Sequence, residues 1–144
     1  MTSTEPGRLE LERIVDARLN ELIGCQRFRD LEGAVAMFCD DAIVFGSAAS
    51  EQAVGIANIR EFFRNRFSLP VTYGWTWDRL LVQGSGDAIS FVAPGEYQLR
   101  SHDGSEVTGH YRITGVLRRV GEAWKFALWT GAQPVSDDRP NASA

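Results

Sequence analysis

The sequence predicts an α+β domain: three N-terminal helices packed on a strongly curved antiparallel sheet that forms a cone, an α+β barrel. Three observations carry this prediction. Apolar residues up to Phe67 fall mostly at helical spacing, whereas the chain after Pro70 reads as long strand segments separated by short turns. Helices first and strands afterwards point to α+β and away from a doubly wound α/β fold. Glycines inside the strand segments (Gly74, Gly95, Gly109, Gly115, Gly131) mark bulges and kinks, so the sheet should bend. A bent sheet with helices across its mouth makes a cone, and its interior is a natural pocket.

The elements follow in order. From Leu9 to Ile23 apolar residues fall at Leu9, Ile14, Ala17, Leu22 and Ile23, with Leu11, Val15 and Leu19 beside them, and Gly24 interrupts this helix. Asp30 is suited to cap a second helix whose buried stripe is Leu31, Ala34, Val35 and Phe38, and Asp40-Asp41 ends it. The short β-branched word "AIVFG" reads as a buried strand, and "SAASEQAV" as a loop. In "GIANIREFFRNRF", Ile56, Ile59, Phe63 and Phe67 share a helix face that Pro70 stops. Four strand segments remain: "VTYGWTWDRLLVQ", "AISFVAPGEYQLRS", "EVTGHYRITGVLRRV" and "AWKFALWTGAQP". Glycine-containing turns separate them, as in a meander.

Composition narrows the function classes. The 144 residues suit one domain, expected over 9–134, with a flexible N-terminus over 1–8 and a disordered tail over 135–144. A net charge of −4 argues against nucleic acid as a partner, although Arg60, Arg64 and Arg66 could form a local basic patch. "EFFRNRF" mixes Arg with Phe as single-strand binders do, and an amphipathic cap helix does the same. Two cysteines, Cys25 and Cys39, lack a CxxC partner and are read as reduced thiols rather than a bridge; with His102 and His110 they have no zinc-ligand spacing. No metal and no cofactor are expected. The first 19 residues lack the apolar core of a signal peptide, and no window approaches a membrane span, so the expected setting is cytoplasmic with no membrane partner. Asn141-Ala142-Ser143 matches a glycosylation sequon by a short word alone.

Three words, "AMFCDDAIVFGS", "GIANIREFF" and "YRITGVLRRVGEAWKFALWTGAQP", stand in an order that resembles the SnoaL-like branch of the nuclear transport factor 2-like superfamily. The second fits that group's G-x-x-x-I-x-x-F helix entry, and the third its R-x-T-x-V-x-R-R-x-G-x-x-W closing hairpin. The resemblance spans residues 9–134 and implies a curved sheet around a pocket, with a homodimer through the outer sheet face. It implies no single function, because this fold hosts isomerases, cyclases, dehydratases, hydrolases and non-catalytic domains.

Carried over residue by residue, the ketosteroid isomerase set fails. The first-strand base falls on Gly46, the late-strand acid on Gly115 and the helical tyrosine near Leu22, none of which can act in those roles. Asp78-Arg79 supplies an acid beside a base, but strand neighbours face opposite ways, so one at most would reach the cavity. The pair is read instead as solvated residues or an outer-face salt bridge. Strand parity sends Val107, Gly109, Tyr111, Ile113, Gly115 and Leu117 inward, and Thr108, His110, Arg112 and Thr114 outward. His110 is then an outer or interface histidine rather than a base. Ile89, Phe91, Ala93, Gly95 and Tyr97 share a face; on the last strand the Trp129 face should look inward and the Phe126 face outward.

The pocket so inferred is aromatic. Trp77, Tyr97, Tyr111 and Trp129 are its expected lining, with Asp41 at its edge. Two phenols and two indoles could orient a small hydrophobic or aromatic ligand, or the same rings could pack on one another as core. The expected function is a SnoaL-like small-molecule-binding protein, an isomerase, cyclase or hydrolase of a hydrophobic or aromatic carbonyl compound. Tyr97 or Tyr111 would donate to the carbonyl, and no general base is legible. The alternative is a non-catalytic ligand-binding or dimeric assembly domain.

Overall fold

The structure is a computed structural model that describes residues 7–135 and Asp137. The flexible ends expected at 1–8 and 135–144, and the Asn141 sequon, lie largely outside these residues; within the overlap, Arg8 already opens the first helix.

Helix α1 spans Arg8–Phe28 and buries Leu11, Val15, Leu19, Leu22 and Cys25. It runs through Gly24 instead of stopping there. Glycine costs about 1 kcal/mol against alanine in a helix interior, and the buried stripe on either side of it outweighs that. The helix ends where Arg29 takes a left-handed conformation (φ 55°) and its N–H bonds back to Gln26. Asp30 caps α2 (Leu31–Ala36), accepting the Gly33 N–H at 2.9 Å. Strand β1 is Phe38–Phe45, so Asp40 and Asp41 lie within a strand and do not terminate a helix. Phe38 is buried as expected, but from that strand. The stretch expected as a loop contains a three-residue strand, β2 (Gln52–Val54), and α3 follows at Ile56–Phe67.

The single strand expected over 71–83 is two: β3 (Val71–Trp77) and β4 (Leu81–Ser85). Both pair with β5 (Ala88–Ser101), one after the other along the same edge. The break falls opposite Pro94, whose carbonyl accepts from Asp78 at 3.0 Å on that edge and which has no N–H to return. Asp78 and Arg79 therefore sit in a bend, and strand alternation does not govern them. Strands β6 (Glu106–Val120) and β7 (Ala123–Ala132) complete one sheet in the order β2-β1-β7-β6-β5-β3. β1 runs parallel to β7, and every other pairing is antiparallel. The sheet is mixed and mostly antiparallel, and it is not closed: β2 forms one free edge and β3 with β4 the other, so the expected barrel is an open, curved half-cone.

Arg29 ties the helical layer to the sheet. Its guanidinium donates to the carbonyls of Phe67, Leu69 and Val71, the last two at 3.1 Å, and meets His102 Nε2 at 2.9 Å. Inward parity holds on β6 for Tyr111, Ile113 and Leu117, which are buried, while His110 and Arg112 are exposed. On β7 it fails. Val116 pairs with Leu128 but Leu117 pairs with Phe126, which leaves Ala127 as an extra residue. This bulge turns Phe126 inward as well as Trp129, and Phe126 is 0% exposed. Phe126 packs on Phe38 at 5.4 Å and Phe91 at 6.1 Å, and Phe38 meets Phe63 of α3 at 5.6 Å.

Truncation separates the two faces of β7. Phe126→Ala should cost about 3–5 kcal/mol in urea denaturation. Leu128→Ala, on the outward face, should cost clearly less; equal losses would contradict the bulge.

Candidate active site

Beyond the Phe126 cluster the layers part. A cavity of about 670 Å³ opens between α3, the β1–β2 loop and the inner sheet face. Ser47, Ala48, Ser50 and Glu51 come from the loop, and Phe62, Asn65, Arg66 and Leu69 from α3 and its exit. Tyr73 and Trp75 come from β3, Tyr97 and Leu99 from β5, Tyr111 from β6 and Gln133 from the chain after β7. The strand side of the wall is mainly aromatic, with Tyr73, Trp75, Tyr97 and Tyr111 beside Leu99, because bent strands carry side chains of alternate positions onto the concave face. Trp75 lies 6.3 Å from Tyr111 and 5.4 Å from Trp129, and Tyr97 meets Tyr111 edge-on at 5.9 Å.

Tyr97 and Tyr111 thus stand together on the wall. Tyr111 is inserted deeply: a Cβ at Gly131 would come within 2.0 Å of its phenol oxygen, so glycine is required there. Burial pushes the Tyr111 hydroxyl above its usual pKa, against a smaller downward pull from Ser47 and Arg66. Trp129 is buried behind Trp75 rather than on the wall, and its indole N–H finds no partner among the described residues. Trp77 lies outside the cavity, beneath α1, where its indole N–H donates to Asp16 at 3.0 Å. Two strand positions earlier, Trp75 has the same parity and occupies the cavity; the sequence favoured the wrong tryptophan of the pair. Asp41 does not edge the cavity either. It is exposed on the sheet and pairs with Arg118 at 3.0 Å.

The charged groups of the wall are Glu51, which the sequence did not single out, and Arg66, which it offered only as part of a basic patch and not as a pocket residue. The Arg66 side chain is 10% exposed, and its guanidinium sits 4.8 Å from the Phe62 ring centre and 4.3 Å from that of Tyr73. One edge of it is given to the Glu51 carboxylate. The other carboxylate oxygen accepts the Ala48 N–H at 2.9 Å. Gly46, the position just past β1 that was left without a carboxylate, is where Glu51 lies: a Cβ there would stand 2.8 Å from Glu51 Cβ. Among the described residues no three His, Cys, Asp or Glu side chains gather where they could hold a metal ion, and no helix is long and apolar enough to cross a membrane. Cys25 and Cys39 are separate, buried thiols whose pKa burial pushes up.

Three helices over a curved open sheet, with the cavity between them, define a nuclear transport factor 2-like fold. The SnoaL-like domain family matches residues 15–136, and the chain belongs to that family. Solved structures agree on the fold. One neighbour from Novosphingobium aromaticivorans, provisionally assigned as an aromatic ring hydroxylase, has TM-score 0.78 at 23% identity, over 91% of this chain and 94% of its own. A nuclear transport factor 2-like protein of unknown function from Pseudomonas putida has TM-score 0.74 at 18% identity, over 92% and 93%. A ketosteroid isomerase-like protein from Erwinia carotovora atroseptica has TM-score 0.69 at 18% identity, over 88% and 98%.

The raised Tyr111 pKa gives a pH prediction. A phenol whose folded pKa exceeds the ordinary 10.0 stabilises the fold below that pH and loses its contribution as pH climbs through the folded value. Absorbance titration near 295 nm should show a late-ionising phenol that Tyr111→Phe removes, and the variant's stability should fall less steeply in strong alkali.

Proposed function

We propose that the chain binds a small hydrophobic or aromatic carbonyl compound in this cavity and acts on it as an isomerase, cyclase or hydrolase. The observation that carries the proposal is the grouping of Tyr73, Tyr97 and Tyr111 around Trp75 in one cavity. Its volume, about 670 Å³, suits a drug-sized ligand. The rings supply flat apolar contact, and the phenols supply O–H donors for a carbonyl oxygen. Glu51 brings a carboxylate to the wall, the group that proton transfer needs within reach. The Novosphingobium neighbour's provisional description as an aromatic ring hydroxylase fits a ligand of this kind.

Bicyclic aromatic ketones test this. They should quench tryptophan fluorescence and raise the melting temperature. Tyr97→Phe with Tyr111→Phe should weaken ketone binding by about tenfold or more, one or two lost hydrogen bonds, and leave the parent hydrocarbon unaffected. Failure of every ketone to shift either signal would refute ligand binding.

The outer sheet face supports a second proposal, a homodimer. Ile43 and Phe45 of β1 are 38% and 39% exposed, and Ile43 lies beside Leu128 in the ladder, with Val116 next. An apolar band of this kind on the convex face favours a second copy. Light scattering should give twice the chain mass at micromolar concentration and the single mass for Phe45→Lys; a wild-type monomer would remove the proposal.

A further inference from the structure

The wall carries two formally charged side chains, Glu51 and Arg66, and they are bound to each other. Arg66 is fixed before any ligand arrives. Phe62 and Tyr73 occupy its faces, and little of it reaches water. A guanidinium so placed beside an aromatic cavity, with no counter-charge, would take a carboxylate, because planar bidentate pairing is strong and desolvation strengthens it. Glu51 occupies that edge first.

Its position is built by the loop. The Gly46 N–H donates to the Glu51 carbonyl at 2.7 Å, and the Glu51 N–H to that of Ala48 at 2.9 Å. The side chain then folds over Gly46, where a Cβ would collide with it, and takes the Ala48 N–H as well. The pair leaves the cavity with no net formal charge on its wall. An anionic ligand has to displace Glu51, and a cationic one has to displace Arg66. Either exchange leaves a partly buried charge without its partner, which costs more than the new contact returns. A neutral ligand meets phenol donors and rings without disturbing the pair.

We propose that the Glu51–Arg66 pair is the charge selector of the cavity: by silencing Arg66, Glu51 restricts the ligand to neutral aromatic carbonyl compounds and rejects the matching carboxylates. This rests on the cavity being the ligand site, as proposed above.

The test uses probes of one shape, 2-acetylnaphthalene and 2-naphthoate, read by tryptophan fluorescence and calorimetry near neutral pH. Wild type should prefer the ketone by about tenfold or more. In Glu51→Gln, which keeps the shape and the acceptor for Ala48, naphthoate should tighten by about tenfold or more while the ketone changes by less than about threefold. Arg66→Gln is the mirror case: it exposes the Glu51 charge, and 2-naphthylmethylammonium should tighten by a similar factor. It decides the matter if circular dichroism shows that Glu51→Gln does not fold. Ketone binding with an unchanged preference in the variants overturns the selector and leaves the ligand site standing. No binding of any probe to wild type removes the ligand site and the selector with it.

Discussion

A single extra residue in β7 divides this molecule into a core and a cavity. Regular alternation would allow only one of Phe126 and Trp129 on the concave face. The bulge at Ala127 places both there. Phe126 then closes the solid end, against Phe38, Phe91 and, through Phe38, the Phe63 of α3. Trp129 backs the open end, where it supports Trp75 and, one ring further, Tyr111. Without the bulge, one end would lose its central ring, and the concave face would offer a gap where either the core or the cavity wall now stands.

The open end has its own constraint. Rings that do not pack tightly against helices still have to be held in place. Here much of that comes from contacts that look polar in sequence. Arg66 lies against Phe62 and Tyr73, bracing α3 to β3 across the cavity mouth. Glu51 joins the β1–β2 loop to the same guanidinium. Arg29 does similar work at the helix ends, donating to three carbonyls where α3 leaves and β3 begins. Arginine suits both places for different reasons: at Arg29 its planar fork serves several acceptors at once, and at Arg66 its faces lie on rings.

The fold was legible because it is written in periodicity. Helical spacing in α1 and α3, and the glycine-punctuated strands, survive as observed, and the ordered words identified the family before any geometry. What failed was local. Gly24 carried a helix-breaking signal that burial on both sides overrode. Pro94 split β3 from β4 through a hydrogen bond missing on a neighbouring strand, which no property of residues 71–83 reveals. Parity placed Tyr111 on the concave face and grouped Tyr97 with Ile89, Phe91 and Ala93, and the structure has both tyrosines on the cavity side. Trp77 has the inner parity yet lies off the wall, because parity gives a face and not a position along it; Asp41 lies off it because it sits on the exposed face of β1 with Ile43 and Phe45. Phe126 was assigned to the wrong side by a bulge that leaves no mark on alanine.

Glu51 was illegible for a different reason. A lone acid in a polar loop looks solvated, and the sequence gives no hint that the loop folds back over β1. The glycine at position 46 was the available clue, since it denies a carboxylate to the strand. Its physical meaning is the reverse of a vacancy. The missing side chain just past the strand makes the room into which a loop carboxylate folds. The two placements differ in what they allow. A carboxylate on a strand is rigid and points into the cavity with free lone pairs, as a base must. This one reaches the cavity already committed, to Ala48 through one oxygen and to Arg66 through the other. Proton abstraction from a ligand would first require that commitment to loosen, whereas exclusion of charge requires that it hold. The geometry as it stands serves the second role directly, and the first only after the β1–β2 loop moves.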